Sequence, residues 1–203
     1  MSGDAQIVVG ITGASGAPYA VRLLQQLTAS HRSVSLIVSK HGMRLLETEM
    51  GIASMDALRE AVGKDAWDSR VRTYGNDDRG APPASGSSLS AGMIVCPCSM
   101  GTLSAIAVGA SRSLIERAAD VTLKERRKLI LVPRETPLSA IHLENMLRLA
   151  RAGAVIMPAA PGFYHRPKQI TELVDFVVAR MLDHLGVEQK LVKRWEEEGE
   201  LNH

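Results

Sequence analysis

Residues 6–17 read QIVVGITGASGA, an apolar run followed directly by a turn of small residues. A short run rich in β-branched residues predicts a buried strand. Gly13 and Gly16 let the backbone of the next turn approach a ligand closely, and the N–H groups that open the following helix point toward an anion. We therefore predict a phosphate site with Thr12 and Ser15 as further hydroxyl donors. A plain tight turn between strand and helix is the alternative.

Similar strand signals recur along the chain at the spacing of alternating strands and helices. These runs are SVSLIVS (33–39), GMIVCPC (92–98), KLILVP (128–133) and AVIMP (154–158). Their nearly continuous apolarity suits parallel strands that are covered on both faces. Between them, residues 17–30, 138–152 and 169–185 carry apolar side chains at helical spacing. The alternation predicts one α/β domain over residues 1–186, with a doubly wound, mostly parallel sheet and helices on both faces.

Composition narrows the class of protein. Apolar residues make up 45% of the 203 residues, which is ordinary globular usage, and the net charge of +2 predicts no nucleic-acid partner. No apolar run is long enough to cross a bilayer, and the N-terminus lacks the pattern of a signal peptide. Cys96 and Cys98 are too close for an ordinary disulfide and are expected to pack at a strand end. We expect a cytoplasmic protein without a membrane partner.

Two segments depart from the regular pattern. Residues 74–90 are dense in Gly, Pro, Ser and Asp, so they predict a loop, and a long loop inside a compact domain is often functional. Residues 187–203 form a charged C-terminal arm that we predict to be helical. Because the arm carries Leu191, Val192 and Trp195, we expect it to lean on a neighbouring subunit.

A dinucleotide site is not favoured by the glycine-rich turn. Its spacing is G-x-x-G-x-x-G rather than G-x-G-x-x-G, and the second strand ends at Ser39 without the acidic residue that would hold a ribose. Tyr164 and Lys168 have the Y-x-x-x-K spacing of short-chain dehydrogenases, but Pro167 between them would break the helix that pair needs. A second turn of small residues, CSMGT at 98–102, also opens a predicted helix. The two turns together favour a mononucleotide, namely flavin mononucleotide (FMN).

Longer motifs resemble one family. They are GITGASGA, SKHG, APPASGSS, CPCSMGTLSAIA, LIERAADVTLKERR, LVPRETPLS, HLENM, PAAPGFYHRP and DFVVAR. In this order they resemble the flavin prenyltransferases of the UbiX type over nearly the whole chain. The resemblance implies a Rossmann-like flavoprotein fold and metal-independent transfer of a dimethylallyl group from dimethylallyl monophosphate to N5 and C6 of reduced FMN. It also implies a homododecamer with sites between subunits, and prenylated FMN as a product for a partner decarboxylase, including one in ubiquinone biosynthesis. Whether the donor is the monophosphate or the diphosphate stays open.

The resemblance carries roles onto individual residues. The predicted flavin-binding residues are Gly13, Ala14, Ser15, Ser39, Ser99, Met100, Gly101, Thr102 and Arg134. The predicted substrate-binding residues are Arg117, Lys124, Tyr164, Arg180, Ser85, Ser87 and Trp195. The predicted catalytic residues are Glu49, Ser15, Glu135 and Lys124. Glu49 matches the family's catalytic glutamate, Ser15 would relay a proton, and Tyr164 and Trp195 would line an allylic cation.

Cationic side chains would replace a metal at the departing phosphate. The sequence has no D-D-x-x-D and no H-E-x-x-H motif. The resemblance implies that Arg117, Lys124, Arg134 and Arg180 are the cations at the phosphate, and we predict that they converge on one oxyanion. Arg134 also follows a buried strand and a proline at the sheet edge where ligands bind. Two alternatives remain: an FMN-dependent cysteine-type decarboxylase of the same fold, which would need its own catalytic histidine, and a non-catalytic FMN carrier.

Overall fold

The computed structural model describes residues 6–192. Six strands occur in chain order: β1 (Gln6–Ile11), β2 (Val34–Val38), β3 (Val71–Tyr74), β4 (Ser90–Cys98), β5 (Leu129–Pro133) and β6 (Val155–Ile156). The helices are α1 (Ala17–Ala29), α2 (Lys40–Met50), α3 (Met55–Val62), α4 (Lys64–Arg70), α5 (Met100–Ala107), α6 (Leu114–Lys124), α7 (Ala140–Arg151) and α8 (Ile170–Leu185). A short 3₁₀ turn, Pro82–Ala84, interrupts the loop between β3 and β4.

The strands form a single sheet in the order β3-β2-β1-β4-β5-β6, and every pairing is parallel. From β1 the chain adds β2 and then β3 toward one edge of the sheet. It then returns to the other side of β1 and adds β4, β5 and β6 toward the opposite edge. The order therefore reverses between β1 and β4, and ligands of such sheets bind at the carboxyl ends of these two strands. This arrangement confirms the predicted doubly wound parallel fold.

Alternation along each strand divides the core into two layers. Ile7, Val9 and Ile11 of β1 pack in one layer, whereas Val8 packs in the other. The first layer contains side chains of α1, α2, α3, α4 and α8, and the second contains those of α5, α6 and α7. The helices therefore cover both faces of the sheet, with α6 and α8 on opposite faces.

Some element predictions were wrong in extent. Strand β3 was not predicted, because the short segment VRTY is only half-buried at the sheet edge and has no continuous apolar run. Strand β6 has only two residues rather than the predicted AVIMP run. Helix α7 was predicted from apolar side chains at helical spacing, but Ile141 is 68% exposed and only Leu149 of this helix is fully buried. His142 of α7 caps the helix together with Ser139.

The start of the C-terminal arm lies against its own subunit. Helix α8 ends at Leu185, and the left-handed backbone of Gly186 terminates it. The arm was predicted to be helical, but its described part, residues 187–192, forms no helix. Val187 is buried in the core layer of α1 and α8, and Leu191 packs against that layer. Trp195 lies outside the described residues. Within residues 6–192 no helix is long and apolar enough to span a membrane.

Two helical glycines offer a test of this packing. A Cβ at Gly42 in α2 would lie 2.5 Å from the carbonyl oxygen of Ile11, whereas a Cβ at Gly101 in α5 would meet no atom within 4 Å. We expect Gly42→Ala to lower the free energy of unfolding by about 1–3 kcal/mol through overpacking. Gly101→Ala should raise it by up to about 1 kcal/mol, since alanine favours a helix. Urea unfolding of the ligand-free protein measures both, and stabilisation by both substitutions would contradict the close contact at Gly42.

Candidate functional site

A buried threonine joins the two turns at the switch point. The Thr12 hydroxyl donates to the carbonyl oxygen of Pro97 at 2.8 Å and accepts from the backbone N–H of Ser99 at 2.8 Å. The Thr12 N–H also donates to the Pro97 oxygen, at 3.2 Å. Thr12 is only 2% exposed. The prediction that its hydroxyl meets a phosphate was therefore wrong, because the hydroxyl is used to hold the turn after β1 against the end of β4.

Close packing fixes the first turn against α2. A Cβ at Gly13 would lie 2.5 Å from the Cβ of His41, so only glycine fits at this position without a shift. Gly16 has a φ of 127°, in the range that favours glycine. The predicted flavin-binding residue Ser39 caps α2, because its side-chain oxygen accepts from Gly42 N–H at 3.0 Å. Ala14, another predicted flavin residue, is buried beside this turn.

The chain's own carboxylate occupies the N-terminus of α1. Glu49, in the last turn of α2, accepts hydrogen bonds from the backbone N–H groups of Gly16 at 2.9 Å and Ala17 at 2.8 Å. The Ser15 hydroxyl is a third donor to the same carboxylate. These N–H groups were predicted to bind a phosphate, and in this structure they bind Glu49 instead. The positive end of the helix dipole also favours the charged carboxylate here.

Opposing effects act on the pKa of Glu49. Partial burial alone would raise it. The hydrogen bonds from Gly16, Ser15 and Ala17, together with the nearby positive charge of Arg134, outweigh burial and lower the pKa below its ordinary value. Glu49 is therefore an ionised base at neutral pH that is held beside a cation at the switch point.

The second turn presents the open N-terminus of α5. Ser99 caps this helix by accepting from Thr102 N–H at 3.3 Å, and its hydroxyl lies 3.1 Å from that of Thr102. The first N–H groups of a helix have no partner within the helix. Gly101 is exposed, and its backbone has open space where a side chain would stand. Met100 is buried beneath it. Of the two predicted phosphate turns, this one has room for an external anion.

Arg134 extends from the carboxyl end of β5 toward the same region. Its Nε is buried and has no hydrogen-bond partner among residues 6–192. A buried donor without an acceptor is costly, so its presence points to an acceptor that the single chain does not supply. Glu135 does not pair with it in the described contacts; its carboxylate is exposed and accepts from the N–H of Thr136 at 3.1 Å.

Lys124 and the serine loop form a second group, which we call the α6 group. A Cβ at Gly86 would lie 2.9 Å from Lys124 Nζ, so the loop passes directly over the end of α6. Ser85 and Ser87, on either side of this glycine, have hydroxyls 2.8 Å apart. Arg127 fastens the loop, because its guanidinium donates to the carbonyl oxygens of Gly86 at 2.6 Å and Ser88 at 2.7 Å. No sequence signal distinguishes Arg127 from its neighbours.

Arg117 also belongs to the α6 group, because it lies on the same helix as Lys124. Its guanidinium donates to Asp120 at 2.8 Å, and Lys124 is paired with Glu125. Both ion pairs are partly exposed. Exposed pairs of this kind contribute little to stability, so they leave the cations available to an anionic ligand.

Tyr164 and Arg180 form a third group, which we call the α8 group. The Tyr164 ring contacts Phe176 of α8 edge-on, with ring centroids 5.7 Å apart. Arg180 follows Phe176 by one helical turn, so it projects from the same side of α8. Its guanidinium is 56% exposed and lies 3.2 Å from Asp183.

A single subunit does not gather the four predicted cations. Arg117 and Lys124 lie on α6, and Arg180 lies on α8, on the opposite face of the sheet. Arg134 lies at the edge between these faces, beside Glu49. These cations therefore do not converge within the described part of one chain, and their convergence between chains stays a prediction. Among residues 6–192, no three His, Cys, Asp or Glu side chains are grouped so as to hold a metal ion.

The cysteines of β4 are not reactive groups. Cys96 and Cys98 are fully buried and free, as their predicted role in strand-end packing requires. Burial raises the pKa of the Cys98 thiol to about 12, and the pKa of Cys96 is also raised. A thiol in such surroundings is a poor nucleophile.

Comparison with known proteins decides the family. A family model described as Flavoprotein matches residues 1–182. The flavin prenyltransferase UbiX of Pseudomonas aeruginosa is 53% identical over 205 residues, which cover 98% of this chain and 97% of that protein. The chain belongs to the UbiX family of flavin prenyltransferases.

Solved UbiX structures share the whole fold. AnUbiX (PadA1), in complex with FMN and dimethylallyl pyrophosphate, has a TM-score of 0.88 and 41% identity, covering 95% of this chain and 98% of that chain. A dodecameric FMN-dependent UbiX-like decarboxylase from Escherichia coli O157:H7 has a TM-score of 0.86 and 43% identity, covering 94% and 98% of the two chains. The fold and family expected from the sequence are therefore confirmed.

The Glu49 contact predicts a pH-dependent stability. Because the pKa of the folded state is lowered, this stabilisation is fully present above the ordinary value of 4.5 and is lost as the pH falls through the lowered value. We expect Glu49→Gln to lower the free energy of unfolding of the ligand-free protein by about 1 kcal/mol at neutral pH. In acid well below pH 4.5 the difference from the wild type should vanish.

The matched control is Glu47→Gln, at an exposed position of the same helix. Urea unfolding at neutral and acidic pH should show little change for this variant at either pH. A deficit of Glu49→Gln that is the same at both pH values would contradict a stabilising charge at the α1 N-terminus.

Proposed function

We propose that this protein transfers a dimethylallyl group from dimethylallyl phosphate to N5 and C6 of reduced FMN. One observation carries the proposal: in a member of the UbiX family, an ionised Glu49 is fixed beside Arg134 at the switch point of the sheet. A carboxylate so placed can exchange protons with a ring bound there. A storage protein for FMN would have no use for it.

The residues at the switch point fit FMN. The open N-terminus of α5 suits the flavin phosphate, and the buried Nε of Arg134 needs an acceptor. We assign flavin binding to Gly13, Ala14, Ser15, Ser39, Ser99, Met100, Gly101, Thr102 and Arg134. When bound in its reduced form, FMN supplies the nucleophilic N5 and C6 positions.

Cations would stabilise the departing phosphate. As the C–O bond of the donor breaks, negative charge gathers on the phosphate oxygens, and preorganised Arg and Lys side chains lower the energy of that state. Arg117, Lys124, Tyr164 and Arg180 are the proposed contacts, with Ser85 and Ser87 lining the same pocket. Trp195, outside the described residues, is proposed to shield the allylic cation together with Tyr164.

Assembly would complete the site. The α6 group and the α8 group lie on opposite faces of one subunit, so one phosphate can meet both only where two copies join. We propose a homododecamer, supported by the dodecameric relative from Escherichia coli. The exposed apolar residues of α7, including Ile141 and Leu147, are available for such contacts.

Glu49 would move the protons. Bond formation at N5 would release one proton. Ring closure would then need a proton on the alkene carbon next to the N5-bound CH2 group, so that C6 can bond to the resulting tertiary carbon, and loss of the C6 proton would rearomatise the ring. Glu49 is the proposed base, with Ser15 as the relay that already donates to it. Glu135 and Lys124 are proposed to assist at the phosphate, which leaves with the electrons of the broken C–O bond.

The product would serve a second enzyme. We propose that prenylated FMN passes to a decarboxylase that depends on it, including one in ubiquinone biosynthesis, and that the protein works in the cytoplasm. The two free cysteines among the described residues are compatible with a reducing compartment. A decarboxylase activity of the chain itself is the second candidate, because the relative from Escherichia coli carries that name.

The test is anaerobic incubation of the purified protein with reduced FMN and dimethylallyl monophosphate, followed by mass spectrometry. We expect a five-carbon mass gain on the flavin and one released phosphate. A parallel reaction with the diphosphate decides between the two donors. The absence of modified flavin from both reactions would contradict the proposed transferase activity. Release of carbon dioxide from a cysteine-containing peptide would instead favour the decarboxylase.

Glu49→Gln separates the two bond-forming steps. Glutamine keeps the shape and can still meet the N–H groups of α1, but it cannot accept a proton. We expect FMN to remain bound while a flavin alkylated only at N5 accumulates, and ring closure to slow by about a hundredfold or more. The open and closed products have the same mass, so chromatography and absorption spectra distinguish them. Closed product at the wild-type rate would exclude Glu49 as the base.

Arg180→Ala should weaken the binding of the dimethylallyl donor without weakening the binding of FMN. Loss of a charged hydrogen bond to the phosphate should raise the KM for dimethylallyl phosphate by roughly tenfold to a hundredfold. The affinity for FMN should change less than about twofold, since Arg180 lies on α8 away from the α5 turn. Equal losses for donor and flavin, measured by steady-state kinetics and flavin titration, would reassign this residue.

A further inference from the structure

We propose that Gly162 and His165 are positioning residues that hold the Tyr164 ring where it meets the allylic donor. The inference rests on the proposed function and deepens it, because neither residue is expected to touch the donor. It is carried by the geometry of one turn and three aromatic rings between β6 and α8.

A tight turn presents Tyr164. The N–H of Arg166 donates to the carbonyl oxygen of Phe163 at 2.9 Å, so Tyr164 and His165 are the two central residues of a β-turn. Arg166 has a φ of 53°, an uncommon backbone conformation for a residue with a side chain, and Pro167 follows it. The backbone that carries the tyrosine is therefore held in one conformation.

Three rings pack around this turn. The His165 imidazole lies parallel to the Phe176 ring, with an interplanar angle of 4° and centroids 5.5 Å apart. The Tyr164 ring meets both of them edge-on, at 5.6 Å from His165 and 5.7 Å from Phe176. These are the favoured offset and T-shaped arrangements of aromatic pairs. Tyr164 nevertheless remains 62% exposed, so a large part of its side chain stays accessible to a ligand while the other two rings support it.

Ring packing holds His165 in place. Both ring nitrogens are inaccessible to solvent and have no hydrogen-bond partner among residues 6–192. Within the described chain its ring contacts are with Tyr164 and Phe176. The imidazole therefore provides a flat support between α8 and the tyrosine.

Gly162 leaves the space that the tyrosine occupies. A Cβ at this position would lie 2.8 Å from Cε1 and 3.1 Å from Cδ1 of Tyr164, and 3.2 Å from Cζ of Phe176. Gly162 is not among the glycines with positive φ, so alanine suits its backbone and the conflict is one of space alone. An added methyl group must push the Tyr164 ring away from its support.

Helix α8 connects the three aromatic rings to the proposed binding site of the donor. Phe176 supports the tyrosine, and Arg180 stands one turn further along the same helix. The three-ring cluster therefore sets the position of the Tyr164 hydroxyl relative to the Arg180 guanidinium. A phosphate bound by both groups is sensitive to small displacements of either one.

The experiment compares Gly162→Ala with Gly80→Ala in the full-length protein. Gly80 is an exposed glycine without positive φ, and its nearest contact to an added Cβ is 3.4 Å. We expect Gly162→Ala to raise the KM for dimethylallyl phosphate by about tenfold while the affinity for FMN stays unchanged. Gly80→Ala should leave both values at the wild-type level.

A double-mutant cycle shows whether Gly162 acts through the tyrosine. In a Tyr164→Ala background, where the tyrosine ring is absent, Gly162→Ala should cause no further rise in KM. A full additional rise in that background, or wild-type kinetics for Gly162→Ala alone, would overturn the inference. If the wild-type protein itself modifies no flavin, the proposed function fails instead.

His165 is tested separately in case Gly162→Ala does not fold. His165→Phe keeps a flat ring and should retain a KM within about threefold of the wild type, whereas His165→Ala should raise the KM as Gly162→Ala does. Equal impairment of the two His165 variants would show that the nitrogens matter and would overturn the role assigned to the ring.

Discussion

The site depends on the hydroxyl group of Thr12. This buried side chain both donates and accepts, and so it binds the turn after β1 to the end of β4 at the point where the strand order reverses. Two helices, α1 and α5, therefore begin side by side with their N–H groups at one edge of the sheet. The positive ends of both helix dipoles therefore favour negative charge at this edge.

The N-termini of the two helices differ in what occupies them. Glu49 fills the N-terminus of α1, where backbone donors and Arg134 keep it ionised, while the backbone at Gly101 in α5 stays open. The same electrostatic feature thus positions a base in one case and offers a phosphate subsite in the other. Because backbone groups hold this base, the fold itself positions the carboxylate at the switch point.

The charged groups that would meet a second phosphate are divided between two surfaces. The core packs α6 against one face of the sheet and α8 against the other, and neither helix can bring its cations across. Each group instead has its own local support: Arg127 fastens the serine loop to α6, and Phe176 backs Tyr164 on α8. Preorganised halves of this kind need only be brought together, which is what assembly of identical copies does.

The amino-acid sequence predicted every strand except β3, most of the alternation with helices, and the glycine-rich turns, because local apolar patterns and glycine reflect burial and backbone sterics. Long motifs also led to the family, and they predict Glu49, Arg134 and Tyr164 as site residues. Only the tertiary structure decided that Glu49, and not a ligand, meets the start of α1, and that Thr12 is a bridge. It alone placed Arg117 and Arg180 on opposite faces. Such contacts join residues far apart in the chain, so no local pattern records them.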